Sequence, residues 1–197
     1  TLDGEFFRFE NALIRPPPDP PVPLVIGGRS DAALRRAALL GDGWLGVWCS
    51  PRRFGEALAT IERHADGCDE SGERDECGER GERAARSFPR PARWDHGLQV
   101  WVGLDPDPAV ARSRLAARMQ SMYRIPFERF ERHSPYGSPE TVARFLAPYI
   151  EAGCTRFNVM PVADSSEAGI EGVAEIREQL VAAANTTTTA SRSRSPG

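Results

Sequence analysis

The stretch Pro23–Trp48, PLVIGGRSDAALRRAALLGDGWLGVW, decides the fold of this chain. It opens with an apolar run over residues 23–26, which is typical of a short strand buried on both faces. Gly27 and Gly28 follow at once, and glycine alone lets a backbone turn that tightly or approach a ligand that closely. The stretch therefore begins with a predicted strand and a sharp glycine turn.

The second part of the same stretch completes a supersecondary unit. Apolar residues at helical spacing predict a helix over 31–40, with Ser30 or Asp31 as its N-cap. The apolar run at 44–48 predicts the next buried strand. Together the two parts predict a strand–helix–strand unit with an anion-binding turn at the N-terminus of its helix.

The rest of the chain continues this alternation of strands and helices. Four strands, each followed by a helix, require a parallel sheet with right-handed crossovers. The order of elements is common to a doubly wound sheet and a barrel, and by itself it favours neither. The further predicted elements are strands over 97–104 and 156–160 and helices over 51–64, 108–125, 139–152 and 166–184.

Three segments fall outside the alternation. Residues 1–22 are predicted to form an irregular N-terminal arm that ends in a stiff, proline-rich connector. Residues at about 65–90 are rich in Gly, Glu and Arg, so we expect a disordered, solvated insertion rather than an acidic or redox-active loop. The tail 185–197 is low in complexity and is also predicted to be disordered. The expected apolar anchors of the arm are Phe6, Phe7, Phe9 and Leu13.

Composition places the chain among ordinary cytoplasmic proteins. Its 197 residues carry a net charge of −3, with 40% hydrophobic and 27% charged residues, which suits one domain with a sizeable core. Basic and acidic residues are interspersed, so we expect no nucleic-acid partner, and no apolar run is long enough to suggest a membrane span. The N-terminus has no features of a signal peptide.

Cysteine and histidine spacing predicts no metal site. The four cysteines form no CxxC pair, and the three histidines lie far from them in sequence. Cys49 and Cys154 border apolar runs and are expected in the core, whereas Cys68 and Cys77 are expected as surface thiols. His96 and His133 are candidate general bases that nothing in the sequence positions.

Several motifs in order resemble the bacterial luciferase-like monooxygenases. They are IGGRS at 26–30, DGW at 42–44 and YGSPETVARFLAPYIEAGCTRFNVMP at 136–161. This resemblance implies a (β/α)8 TIM barrel, of which residues 23–184 would supply about the last four βα units. We therefore expect a partial barrel, either a fragment or truncated homologue, or a half-barrel that pairs with another half.

The resemblance also assigns the glycine turn. Backbone N–H groups at a helix N-terminus, Arg29 and the Ser30 hydroxyl are suited to a phosphate, and a plain tight turn with a surface arginine is the alternative. By resemblance, Gly27, Gly28, Arg29 and Ser30 would hold the phosphate side of FMN or of the deazaflavin coenzyme F420, with Ile26 beside the ring system. Trp48 and Asn158 are candidate substrate-pocket residues at or near strand ends, and alternation with Phe157 and Val159 directs Asn158 towards the barrel lumen. The alternatives are a core or rim position for Trp48 and a buried Asn158 that is hydrogen-bonded to the backbone.

Two functions from different classes follow. The first is a flavin- or deazaflavin-dependent oxidoreductase or monooxygenase that acts on a small molecule, with catalytic residues unassigned because the flavin carries the chemistry. The second is a non-catalytic half-barrel subunit or inactive remnant, whose partner would be a second copy or a complementary barrel half. A nucleotide-binding turn in a doubly wound fold is disfavoured, because the sequence lacks GxGxxG.

Overall fold

The structure is a computed structural model that describes residues 2–13, 15–70 and 94–192. The predicted disordered insertion lies outside these residues from position 71 onwards, and so do the last residues of the predicted tail, 193–197. The division of the chain into arm, barrel half and tail therefore stays a prediction.

The main sheet is parallel and follows the order of the chain. Strands β3 (Val25–Gly27), β4 (Gly43–Val47), β5 (Gly97–Leu104) and β7 (Arg156–Val162) lie side by side, each hydrogen-bonded to the next. A two-residue strand, β6 (Tyr136–Gly137), pairs with the carboxyl-terminal end of β5 on the β4 side. The four predicted strands and their parallel arrangement are thus confirmed.

Helices join the strands as the sequence predicts. Two of them are longer than expected: α2 passes its predicted end at His64, and α5 passes position 184 into the predicted tail. A helix that packing has nucleated propagates at little cost for each added residue, so sequence composition marks its end poorly. The helices are α1 (Asp31–Leu40), α2 (Pro51–Glu70), α3 (Pro108–Tyr123), α4 (Pro139–Glu151) and α5 (Ser166–Arg192).

Four helices cover one side of the sheet, which we call the helix face. Helices α1, α2, α4 and α5 contribute to one apolar core there, together with the even-numbered residues of β5. Most apolar residues at helical spacing in these helices are buried, but Ile170 is 69% exposed because it lies on the outer side of the first turns of α5. Fully buried members of this core include Trp44, Phe54, Ile61, Val142, Leu146, Tyr149 and Ile176.

Helix α3 lies on the opposite side of the sheet, which we call the inner face because it would face the lumen of a closed barrel. Leu115 and Met119 of α3 pack against Trp101 of β5, as part of a second apolar cluster. Along the chain α3 follows β5 and α4 follows the two-residue strand β6, so the alternation of strands and helices holds, but α3 does not pack on the helix face. Helical periodicity shows which stripe of a helix is buried, but not which face of a sheet buries it. Met122, the next apolar residue at helical spacing after Met119, is exposed.

The barrel is not closed. Within the described residues, β3 pairs only with β4 and β7 pairs only with β5, so the sheet has two free edges. The α/β architecture with about four βα units of a TIM barrel agrees with the predicted fold class. In the part of the chain that the structure describes, no helix is long and apolar enough to cross a membrane.

The N-terminal arm forms a small hairpin of its own. Strands β1 (Leu2–Asp3) and β2 (Arg8–Phe9) pair with each other in an antiparallel manner. The predicted anchoring of the arm is wrong, since its apolar side chains are exposed to solvent. An apolar residue is buried only where a surface is available to cover it, and sequence does not supply that surface. The exposed fractions are 83% for Phe6, 74% for Phe7, 48% for Phe9 and 69% for Leu13.

Candidate functional site at the carboxyl ends of the strands

The glycine turn after β3 has one position that requires glycine. Gly28 has φ +117°, and a Cβ atom there would lie 2.8 Å from Cβ of Ala33. The carbonyl oxygen of Gly28 accepts a hydrogen bond of 2.7 Å from Nε1 of Trp44, on the next strand. At Gly27, by contrast, an added Cβ would meet no atom within 4 Å. The hydrogen bond from Trp44 therefore holds the turn at Gly28, whereas the space beside Gly27 is free of described atoms.

Ser30 caps the helix that follows the turn. Its Oγ accepts a hydrogen bond of 3.3 Å from the backbone N–H of Ala33, so Ser30 rather than Asp31 is the N-cap. The hydroxyl hydrogen of Ser30 is still available for a ligand, since Oγ acts as acceptor in this cap. Asp31 lies in the first turn of α1 with its carboxylate 3.2 Å from Nε2 of His64.

Arg29 connects the glycine turn to the end of β4. Its Nη1 donates a hydrogen bond of 3.2 Å to the carbonyl oxygen of Trp48. The side of α1 and α2 next to it carries a groove of mixed charge, of about 200 Å³. Basic groups exceed acidic groups in this groove, which favours an anionic ligand. Its charged residues are Arg29, Arg53, Arg63, Asp31 and Glu56.

Trp48 lies directly after β4, within the aromatic cluster of the inner face. Its ring centroid is 4.7 Å from that of Phe130 and 5.2 Å from that of Tyr123. Its φ of +47° places this residue in the left-handed region, which side chains other than glycine seldom adopt. The indole nitrogen is buried and has no hydrogen-bond partner in the described part of the chain. The predicted pocket residue thus lies where the inner-face cluster meets the carboxyl end of the sheet.

An ion pair holds two short 3₁₀ turns, Phe127–Arg129 and Glu131–His133, over this cluster. Arg112 of α3 binds the Glu131 carboxylate through two hydrogen bonds, of 2.6 and 3.0 Å. The Tyr136 hydroxyl donates a further bond of 3.0 Å to the same carboxylate. The hydrogen bond from Arg112 holds the pKa of Glu131 below its usual range, so this carboxylate stays charged as an acceptor.

Asn158 lies on the inner face, as expected from alternation along its strand. Its neighbours Phe157 and Val159 pack into the helix-face core. The Asn158 amide donates a hydrogen bond of 3.4 Å to Oε1 of Gln99, and both side chains are accessible to solvent. Register places Val47, Gln99 and Asn158 in one row across three strands, so Asn158 is near the level of Trp48 but two strands away. Its role in a substrate pocket stays a prediction.

Ile26 packs on the helix face. A Cβ atom at Gly41 would lie 3.0 Å from Cγ1 of Ile26, and Ile26 borders the core formed by the four helices. Its side chain thus anchors β3 to α1. The contacts here give no position beside a ring system, and that role stays a prediction.

The two candidate histidine bases are not brought together. His96 is buried at the start of β5, where its Nδ1 accepts a hydrogen bond of 3.2 Å from the backbone N–H of Trp44. Burial lowers the pKa of His96 to about 4, so the ring is neutral near pH 7 and serves as a structural acceptor. His133 lies in the second 3₁₀ turn, and burial lowers its pKa as well.

The two cysteines that the sequence predicts in the core are indeed buried. Cys49 and Cys154 are buried and unpaired, and burial raises the pKa of both thiols. The side chains of Cys68 and Cys77 lie outside the described residues. Among the described side chains, no three His, Cys, Asp or Glu residues are grouped so as to hold a metal ion.

The inner-face aromatic cluster is the part of the site that sequence reasoning missed. Neither periodicity nor a motif in the sequence predicts a role for the segment from Phe127 to Ser134, for Trp101 or for Tyr123. The available signal was the density of aromatic residues between 123 and 136, which is too high for an ordinary surface loop.

Comparisons with known proteins agree with this architecture. The sequence model of the luciferase-like monooxygenases matches residues 1–156. Uncharacterised proteins of Mycobacterium tuberculosis and Mycobacterium bovis are 38% identical over 60 residues, an alignment that covers 30% of this chain and 20% of each relative. The chain thus spans a small part of the curated relatives that it matches.

Two solved structures share the fold at 18% identity. An F420-dependent secondary alcohol dehydrogenase, solved with an F420–acetone adduct, superposes with a TM-score of 0.63 over 91% of this chain and 55% of its own. The F420-dependent tetrahydromethanopterin reductase of Methanopyrus kandleri gives a TM-score of 0.51, over 77% of this chain and 49% of its own. This chain therefore spans about half the length of either enzyme.

Proposed function

This chain belongs to the luciferase-like monooxygenase family, and from that premise we propose that it forms the phosphate-binding part of a flavin- or deazaflavin-dependent oxidoreductase. The observation that carries the proposal is the glycine turn between β3 and α1. It combines free space beside Gly27 with a helix N-terminus and the guanidinium of Arg29. These are the donors and the open backbone that a phosphate group needs.

The residues that would hold the cofactor are Gly27, Gly28, Arg29 and Ser30, each with a separate task. Gly28 sets the turn, Gly27 leaves room for a ligand, and Ser30 and Arg29 supply donors. When bound, a flavin or deazaflavin would supply the redox chemistry, and the protein would orient it and exclude water. Coenzyme F420 is the first candidate, because both similar solved structures are F420-dependent enzymes, and FMN is the second.

The alternative is a half-barrel without catalysis of its own. This alternative is kept because an enzyme of this fold builds its site from loops around a complete ring of strands, and the described residues supply part of that ring. In that case a second copy or a complementary barrel half would be the partner. A small-molecule substrate and a cytoplasmic location stay predictions under either function.

The test is a fluorescence titration of the chain with F420 and with FMN. We expect Arg29→Ala to weaken binding of the preferred cofactor at least tenfold, because it removes a charge-assisted hydrogen bond. Gly27→Ala should also weaken binding but leave the unfolding midpoint unchanged, since its methyl group would project into free space. Arg36→Ala, which removes an exposed arginine of α1, is the matched control.

Two results would count against the proposal. If the folded chain binds neither cofactor, the non-catalytic half-barrel is the better description. If a cofactor binds equally well to the Arg29→Ala variant and the parent chain, binding occurs elsewhere. Gly28→Ala is not a useful probe of binding, because its φ of +117° and the contact with Ala33 would disturb the fold first.

A further inference from the structure

We propose that Trp48 is a specificity-determining residue that donates its indole N–H to an oxygen atom of a small, neutral, largely apolar substrate at the inner face. The inference rests on the proposed function, in that the ligand is taken to be the substrate of the flavin site. It goes beyond the predicted presence of Trp48 in a pocket, because it names the donor atom and the chemistry of the ligand.

The first observation is the backbone conformation of Trp48. Along β4, Trp44 faces the helix-face core and alternation would direct Trp48 to the same side. With φ +47° the chain leaves the strand geometry, and the indole packs among the inner-face aromatic rings instead. A bulky residue adopts this conformation only when its surroundings enforce it, and such residues are concentrated at ligand sites.

The second observation is the unpartnered indole nitrogen. Nε1 of Trp44 donates to the Gly28 carbonyl oxygen at 2.7 Å, and Nε1 of Trp101 donates to the Tyr123 hydroxyl at 3.0 Å. The Trp48 nitrogen is shielded from solvent but has no acceptor among the residues that the structure describes. Buried indole N–H groups normally find a partner, so an acceptor from outside the chain is the simplest completion.

A second unpartnered polar group lies in the adjoining segment. Among the described residues, the only other buried side-chain polar atom without a partner is Oγ of Ser134. Ser134 is fully buried and directly follows the 3₁₀ turns that cover the aromatic cluster. The Trp48 nitrogen therefore lies at the end of β4, and the Ser134 hydroxyl lies at the end of the segment of 3₁₀ turns that covers the same aromatic cluster.

The surroundings of Trp48 define the class of ligand. Tyr123 and Phe130 line the indole with aromatic surface, and Met160 borders the same cluster. Such surroundings favour an apolar body and disfavour a full charge, which would lose its hydration there. An indole N–H donates and cannot accept. A ketone, aldehyde, ether or alcohol oxygen on a compact hydrocarbon frame meets these conditions.

Access to the indole nitrogen depends on the two 3₁₀ turns. The nitrogen is closed off from solvent, so a ligand reaches it only when the turns move away from the sheet. The turns are tethered to α3 by the surface ion pair between Arg112 and Glu131. The partly exposed ion pair is a weak restraint, and the main restraint on this movement is the burial of Phe127 and Phe130 in the same cluster.

The test follows the indole N–H signals of the full chain by ¹⁵N NMR during addition of cyclohexanone. Methylenecyclohexane, which has nearly the same shape but no oxygen acceptor, is the matched control ligand. Trp48→Phe identifies the signal of Trp48. Trp94→Phe, just before the amino-terminal end of β5 and outside the aromatic cluster, is the control variant. Each titration is run with and without saturating F420.

We expect cyclohexanone to shift the Trp48 indole signal downfield in a saturable manner, with or without F420, and methylenecyclohexane to leave it unshifted. Trp48→Phe should weaken cyclohexanone binding about tenfold and leave methylenecyclohexane binding unchanged, as expected for loss of one hydrogen bond. If Trp48→Phe does not fold, the Trp48 indole signal is assigned in the parent chain from its through-space contacts with the Tyr123 and Phe130 rings, and the titration of the parent chain then decides the question.

Three results would overturn the inference. One is an indole signal that responds to neither ligand, as expected if a trapped water satisfies the N–H. Another is an equal shift of the indole signal by both ligands. The third is that Trp48→Phe weakens the binding of both ligands equally, which would show that only the volume of the ring matters. Failure of F420 to bind in the fluorescence titration would count against the proposed function alone, since the indole response is also measured without it.

Discussion

The two faces of the sheet differ in how completely their polar groups are satisfied. On the helix face, the core is continuous and apolar, and the buried Tyr149 hydroxyl donates to the Cys49 carbonyl oxygen at 2.6 Å. On the inner face, Gln99 and Asn158 remain accessible to solvent, and the indole nitrogen of Trp48 has no hydrogen-bond partner among the described side chains and backbone groups. The helix face therefore carries the stability of the chain, and the inner face holds the groups available for binding.

Along β5, even-numbered residues pack into the helix-face core and Trp101 packs into the inner-face cluster. Leu98, Val100 and Val102 belong to the helix-face core. Trp101, between two of them, belongs to the inner-face cluster. Because neighbouring residues of a strand point to opposite faces, a substitution on one face can leave the other almost unchanged. The three predictions that follow test this separation.

The largest effect is expected from a cavity in the helix-face core. Leu146 of α4 is fully buried in it, so Leu146→Ala should lower the free energy of unfolding by about 2.5–5 kcal/mol. Ile170→Ala, on the exposed side of α5, should change it by less than about 0.5 kcal/mol. Urea unfolding followed by circular dichroism measures both. Similar losses for the two variants would show that the helix-face core is not where the stability resides.

A smaller effect is expected from pH through His96. The folded-state pKa of about 4 lies below the ordinary histidine value of about 6.5, so the unfolded chain binds the proton more readily. The contribution of His96 to stability is thus complete above pH 6.5 and is lost as pH falls towards 4. It amounts to roughly 3 kcal/mol at most.

His96→Asn is the matched comparison, because the Asn oxygen can accept the bond from Trp44 N–H without titrating. The unfolding free energy of both proteins should be measured between pH 4.5 and 7.5. The parent should lose more stability than the variant across this range. Parallel pH profiles would mean that water reaches His96 in the folded state, so that the amino-terminal end of β5 is not shielded from solvent.

The smallest effect is expected at the cover of the inner face. Glu131→Gln weakens the ion pair with Arg112, so hydrogen exchange should become faster at the amides of Phe130 and His133, which lie in the two 3₁₀ turns. Helix-face amides should be unaffected. Glu140→Gln removes a surface pair with Arg144 elsewhere and should leave the turns unchanged. Equal acceleration throughout the protein would show that the two faces unfold together.

Sequence predicted the elements of the fold better than their arrangement in space. The stretch from Pro23 to Trp48 forms the predicted strand–helix–strand unit, and Ser30 is its N-cap. These features depend on local chemistry, namely periodicity, capping and glycine geometry. The side of the sheet on which α3 packs depends on contacts distant in sequence, which periodicity does not encode.

The candidate site was predictable in part for the same reason. The glycine turn is a local feature, and the structure places Gly27, Gly28, Arg29 and Ser30 together as expected. The conformation of Trp48 was not predictable, because nothing in its local sequence favours a left-handed tryptophan. Only the aromatic rings packed around it, which come from α3 and the 3₁₀ turns, explain that conformation.

The free edges of the sheet also bear on how the chain behaves at high concentration. Strand β7 has seven residues, and β5 is its only strand neighbour within the described part of the chain. A strand of this length with an unpaired edge offers a template for intermolecular strand addition, and Pro161 limits it by removing one amide donor. The tendency of this protein to aggregate thus depends on the unpaired edge of β7, where a closed barrel would have its next strand.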